Sequence, residues 1–135
     1  MPFTESNYEN AVLQLFTQTL GYSYAYGPDI ERDYHSPLYE LLPALRAINA
    51  SLPQAALDDA VYKLKNFESG SLLQKNMVFT DYLQNGVPVK FVVKGEERAG
   101  LVSLIDYRHP EQNCFTVVNQ WTVIENSEKR ADVVL

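Results

Sequence analysis

Two carboxylates stand where the surrounding pattern favours an apolar residue. In "TESNYENAVLQLFTQTLG", residues 4–21, a helical period puts Val12, Leu13, Phe16 and Leu20 on one face. Glu9 projects near the middle of that face, with Glu5 about 40° away. In "EKRADVVL", residues 128–135, a strand period sets Ala131, Val133 and Leu135 on one side and Asp132 with Val134 on the other. An unpaired carboxylate is costly away from water, and aspartate is disfavoured in strands. Each acid therefore needs a partner, and a hard divalent cation would serve. Oxygen ligands hold Mg²⁺, which offsets the carboxylate charge and polarises a phosphate and the water that attacks it.

Plainer explanations stand beside the chemical one. Ser6 and Glu9 have the S-x-x-E spacing of a capping box, in which the glutamate reaches back to the cap backbone. A start at Thr4, stapled by Phe3 and Tyr8, would instead place Glu9 beyond the first turn and free its side chain; local signals leave both starts open. Asp132 would need no ligand at an exposed edge. "VVNQWTV" sets Asn119 and Gln120 in an apolar strand, where their amides could meet a nucleic acid or another strand, or simply satisfy an edge or a turn. No Gly-rich phosphate loop, G-x-S-x-G elbow or His-rich metal motif occurs. With one cysteine, Cys114, there is no internal disulfide, and His35 and His109 have no zinc spacing.

The elements that must position these acids change character along the chain. Helices are expected from Thr4 or Ser6 to Leu20 with Gly21 as the stop, from Pro37 to Asn49, from Pro53 to Phe67 and from Ser71 to Asn85 with Gly86 as the stop. "YSYAY", residues 22–26, is a short strand or extended loop. After Gly86 the period becomes that of strands: "VPVKFVV" and "LVSLIDY" flank "KGEERAG" as a hairpin, and "CFTVVNQWTVI" leads through "ENSEKR" to "ADVVL". Helices followed by strands indicate an α+β fold, with helices packed on a mainly antiparallel or mixed sheet.

At 135 residues and 46% hydrophobic composition the chain is expected to form one domain with its own core. No apolar run approaches the roughly 20 residues that cross a bilayer, and "MPFTESNYEN" lacks the regions of a signal peptide, which predicts a cytosolic protein. The net charge of −6 is uneven: residues 1–62 carry eight acids and two bases, and residues 63–135 nine of each. A polyanion would therefore meet the second half, with Lys63, Lys65, Lys75, Lys90, Lys94 and Arg98, although scattered solubilising charges give the same composition.

The order of these segments resembles a known family. "LGYSYAYG", the "NGVPV" turn, "LIDY" with "PEQNCFTVVNQWTV", and the terminal "RADVVL" together resemble the N-terminal domain of the R subunit of type I restriction enzymes, colinearly over nearly the whole chain. The resemblance implies a PD-(D/E)xK nuclease fold, a helix-flanked sheet whose metal site joins an aspartate on one strand to a Glu-x-Lys pair on the next. "RADVVL" matches the aspartate strand, with Ala131 where proline is common, so Asp132 would be a catalytic Mg²⁺ ligand. Glu9 is similar in position to the acid that the first helix directs at the metal, with Glu5 as the alternative. The Glu-x-Lys strand is not in these residues, so the chain looks like a fragment that is inactive by itself. The resemblance further implies a full-length prokaryotic cytoplasmic protein that cleaves unmethylated duplex DNA. That protein would have an ATP-driven translocase motor and would assemble with modification (M) and specificity (S) subunits. A non-catalytic DNA-binding or assembly module is the competing reading.

Overall fold

The structure is a computed structural model that describes residues 2–36, 41–68 and 70–135. The described chain folds as two compact units, Met1–Tyr39 with Cys114–Leu135, and Glu40–Asn113. The α+β expectation holds: the α-helices precede most of the strands, which form one three-stranded mixed sheet and one two-stranded hairpin. Among the described residues no helix is long and apolar enough to cross a membrane.

In the first unit, helix α1 spans Glu5–Gln14. Its start is Thr4, not Ser6. Thr4 Oγ1 accepts from the Asn7 backbone N–H at 3.3 Å and Asn7 Oδ1 accepts from the Thr4 N–H at 2.9 Å, a reciprocal cap. Phe3 and Tyr8 meet edge to face with ring centroids 4.6 Å apart, stapling the entry. The helix does not run unbroken to Leu20: Leu15–Thr19 is a π-helical turn. Thr17 Oγ1 donates to the Leu13 carbonyl at 2.8 Å, and the Leu20 N–H reaches back five residues to Leu15 at 3.1 Å. Gly21, at φ +76, then turns the chain.

Strand β1 (Ser23–Tyr26) pairs parallel with β4 (Thr116–Ile124), from Ser23 opposite Thr116 to Tyr26 opposite Asn119. Strand β5 (Glu128–Val134) pairs antiparallel on the other side of β4, from Val118 opposite Val134 to Ile124 opposite Glu128. The order is β1-β4-β5, so β4 is central, and Val117, Val118 and Trp121 on it are buried. Past the end of β1, residues 27–36 take over the edge of β4. The Arg32 guanidinium lies between the rings of Tyr34 and Trp121, 4.6 and 3.6 Å from their centroids, and donates to the Thr122 and Ser36 carbonyls. The Ile124 N–H donates to the Tyr34 carbonyl at 2.8 Å.

In the second unit, helices α2 (Leu41–Ile48), α3 (Gln54–Lys65) and α4 (Leu72–Asn85) precede the hairpin of β2 (Val87–Val93) and β3 (Glu96–Val102). Residues 37–40 of the expected second helix lie outside the described residues. Pro53 occupies the cap of α3 rather than its first turn, and Ser71 caps α4 reciprocally with Gln74. Leu45, Leu57, Leu64, Val87, Val89 and Val102 form the core, with α3 against β2. The hairpin was expected with a longer turn. Lys94 and Gly95, at φ +50 and +79, make a two-residue turn instead, so "EERAG" is strand and of "LVSLIDY" only Leu101 and Val102 extend it.

Candidate functional site

Glu9 lies past the first turn of α1, and its carboxylate is held by β4. Asn119 Nδ2 donates to Oε1 at 2.9 Å, and Gln120 Nε2 straddles both oxygens, 3.0 Å from each. The Tyr24 hydroxyl on β1 donates to Asn119 Oδ1 at 2.8 Å, so the amide that faces Glu9 is itself oriented from the neighbouring strand. The core-facing acid of helix one and the two amides of the apolar strand, each without an evident partner in sequence, are partners of one another. Asn119 is buried with 8% of its surface exposed, a burial that an unpaired amide would not tolerate.

In a regular strand Asn119 and Gln120 would point to opposite faces. Both reach one carboxylate because Gln120 has a left-handed backbone, φ +54. The pairing with β5 does not slip across this distortion: Asn119 opposes Val133 and Trp121 opposes Ala131, which sets Gln120 opposite Asp132. Gly27 makes room for it. A Cβ built on Gly27 would lie 2.4 Å from the Gln120 carbonyl oxygen and 2.6 Å from that of Asn119, so only glycine lets the turn after β1 close on the kinked strand.

The electrostatics keep Glu9 ionised. The Gln120 amide hydrogen bonds, then the one from Asn119, draw its pKa below the usual glutamate value, against an opposing contribution from partial burial, and the charge of Arg130 acts in the same direction as the amides. Arg130 shares a side of β5 with Asp132, two residues on. Asp132 is exposed and makes no hydrogen bond or ion pair among the described residues, and Glu5 is exposed on the first turn of α1. Of the two candidate helix acids, Glu9 is the one that the sheet holds.

The donor set suits a hard cation that keeps much of its water. A carboxylate offers about four lone-pair positions. Among the described residues Oε1 accepts two hydrogen bonds and Oε2 one, which leaves a position on Oε2, and the exposed Asp132 carboxylate accepts none. Mg²⁺ is usually bound through one or two carboxylates with waters and phosphate oxygens completing its shell. Among the described residues no group of three or more His, Cys, Asp or Glu side chains gathers as a closed cage.

Asp106, and the histidines and cysteine weighed from sequence, have local explanations. Asp106 is also held below its ordinary value, chiefly by the His109 backbone N–H, and its Oδ1 accepts from the Arg108 and His109 N–H groups at 3.0 Å, which makes it a turn residue. His35 and His109 pair with Asp33 and Asp106 on the surface. Cys114 is exposed and free. Of the basic residues, Lys63 pairs with Asp59 and Arg98 with Glu96.

The family described as "Type I restriction enzyme R protein N terminus" matches residues 2–135. The chain is 32% identical over 126 residues, 86% of its length, to the type I restriction enzyme HindI endonuclease subunit of Haemophilus influenzae. It is 31% identical over 140 aligned residues, 94% of its length, to the putative type I restriction enzyme MjaIXP endonuclease subunit of Methanocaldococcus jannaschii. It spans 12% and 13% of those two proteins. No solved structure matches.

Proposed function

Because the chain belongs to the family of type I restriction enzyme R protein N termini, we propose that it supplies part of the Mg²⁺-dependent site that cuts duplex DNA, with Asp132 and Glu9 as its acids. One observation carries this reading. The carboxylate of Glu9 is fixed on Gln120, the residue opposite Asp132, with Arg130 from the Asp132 side of β5 acting on the same carboxylate. A buried structural glutamate would have all its lone pairs satisfied, whereas Glu9 keeps a free position among the described residues, and Asp132, across the register from Gln120, is exposed.

When bound there, the cation would polarise the scissile phosphate and lower the pKa of the attacking water. The chain's own residues have simpler tasks. Glu9 and Asp132 hold negative oxygens for the cation, the Asn119 and Gln120 amides keep Glu9 ionised and oriented, and Arg130 offers a positive charge to the DNA backbone. No Glu-x-Lys triplet occurs in residues 1–135. The far edge of β5 is open among the described residues and is where a strand bearing that pair would add. The 135-residue chain is therefore proposed to be inactive as a nuclease by itself. ATP-driven translocation, and assembly with M and S subunits in the prokaryotic cytoplasm, would belong to the complete R protein.

The test uses a complete R subunit assembled with its M and S partners. Asp132→Ala should abolish DNA cleavage while ATP hydrolysis on the same DNA continues, and Glu9→Gln should weaken cleavage. Undiminished cleavage by Asp132→Ala would remove the aspartate from the site, and Mg²⁺-dependent cleavage by the purified 135-residue chain would refute the need for further residues.

A further inference from the structure

We propose that Gln120 is the positioning residue of this site: its left-handed backbone and its amide together fix the Glu9 carboxylate in the orientation that a cation requires. The inference rests on the metal-site reading above and goes beyond it, since the sequence offers the Gln120 amide a nucleic-acid, strand or turn contact but no part in a metal site.

Three independent features converge on this residue. First, Gln120 and Lys94 are the described non-glycine residues with positive φ, and Lys94 sits in a tight hairpin turn where that conformation is required. Gln120 has no such reason, because it lies inside β4 and the register on either side of it is unbroken. A left-handed residue in a central strand is strained, and such strain persists where the surroundings impose it.

Second, the strain yields a specific contact. Nε2 of Gln120 donates to both oxygens of Glu9 at 3.0 Å. With the strand undistorted, residue 120 would face away from the residue 119 side chain that shares the same carboxylate. A single amide nitrogen spanning both oxygens fixes the rotation of the carboxylate plane, which one bond from Asn119 could not do. It also leaves the charge in place, as a lysine or arginine would not.

Third, the packing provides for the kink from outside β4. Gly27 leaves space where the carbonyl oxygens of residues 119 and 120 lie, and the Tyr24 hydroxyl holds Asn119 beside Gln120. A strand distorted by accident would not have a glycine fitted to it.

The experiment measures Mn²⁺ affinity by the relaxation of water protons on this chain, for wild type, Asp132→Ala, Glu9→Gln, Gln120→Gly and the double variant Glu9→Gln with Gln120→Gly. Glycine keeps the left-handed backbone and removes only the amide. Loss of a residue that orients a metal ligand lowers affinity by about 10- to 100-fold. A loss of at least about tenfold is expected for Gln120→Gly in wild type, with no further loss in the Glu9→Gln background, because the amide acts through Glu9. A merely structural role would weaken both backgrounds alike. Should Gln120→Gly not fold, Gln120→Asn serves the same comparison, since asparagine tolerates the left-handed region but its amide is one methylene short. Unchanged affinity, or an equal loss in both backgrounds, would overturn the positioning role while binding that depends on Asp132 and Glu9 upholds the site. Wild-type protein that binds no Mn²⁺, or binds it equally without Asp132, would overturn both.

Discussion

Gly27→Ala isolates the cost of closing the first unit over the kink in β4. The backbone of Gly27 does not lie in the left-handed region, so alanine can adopt it, and the substitution should by itself stabilise by about 0.4–1 kcal/mol through a less disordered unfolded chain. Against this, the added methyl would sit 2.4 Å from one carbonyl oxygen and 2.6 Å from another, where ordinary contact begins at 3.4 Å. Both neighbours are backbone, so no side-chain rotation relieves the overlap. Either β4 or the turn after β1 must move by up to about 1 Å, and overpacking of this kind costs about 1–3 kcal/mol. At the upper end the net loss is about 2 kcal/mol. With an unfolding entropy of about 2.1 cal/mol/K per residue, that lowers the Tm of this chain by about 7 °C. Trp121, the single tryptophan and a neighbour of the kink on β4, reports the transition by fluorescence. A Tm equal to or above that of wild type would show that Gly27 is not fitted to the strand and would remove the packing support for Gln120.

Other perturbations test separate links. Glu9 has a lowered folded pKa, so its contribution to stability is complete above the ordinary glutamate value of 4.5 and is lost as pH falls through the lowered one. Glu9→Gln should therefore flatten the stability profile in that acid range, and a profile that keeps its slope would count against the amide cradle. Thr4→Ala removes the reciprocal cap of α1 and should cost about 1 kcal/mol by urea denaturation, whereas Ser6→Ala should change little. Arg32→Lys keeps the charge but loses the planar stack on Trp121 and Tyr34; a loss of about 1–2 kcal/mol with an altered Trp121 emission is expected, and wild-type emission would refute the stacking.

Much of this was legible in the sequence where the signal is local. The helix bounds near Gln54, Leu72 and Asn85 followed from periodicity and from Ser71 and Gly86, and the α+β class followed from the change of period after Gly86. The two-residue turn at Lys94 and Gly95 was hidden because "EERAG" is polar, and an exposed strand carries little hydrophobic alternation. The π-helical turn at Leu15–Thr19 rests on a backbone bond reaching back five residues instead of four, a matter that apolar spacing does not decide. The parallel pairing of β1 with β4 is a contact between distant segments and leaves no trace in either one.

For the candidate site, Glu9 stood out as an acid on an apolar face, and the same logic applied to Asn119 and Gln120. The missed step was to match them. A polar group misplaced in a helix and two misplaced in a strand each need a partner, and the economical solution is that they satisfy one another. The left-handed backbone of Gln120 had no signal at all, since glutamine is an ordinary strand-surface residue.

The chain order of the first unit has a consequence for how the protein is made. Ser23 in β1 finds Thr116 in β4 only 93 positions later (116 minus 23). At a synthesis rate of about 5–20 residues per second, β1 waits about 5–19 s beyond its own translation for a strand to pair with. The β2–β3 hairpin closes across two residues and can form at once, so the second unit can condense while α1 and β1 are still unpaired. The elements that carry Glu9 and the turn at Gly27 are thus made first and assembled last. Until Thr116–Ile124 arrives, the Glu9 carboxylate has no amides to hold it and Gly27 has no kinked strand to close on.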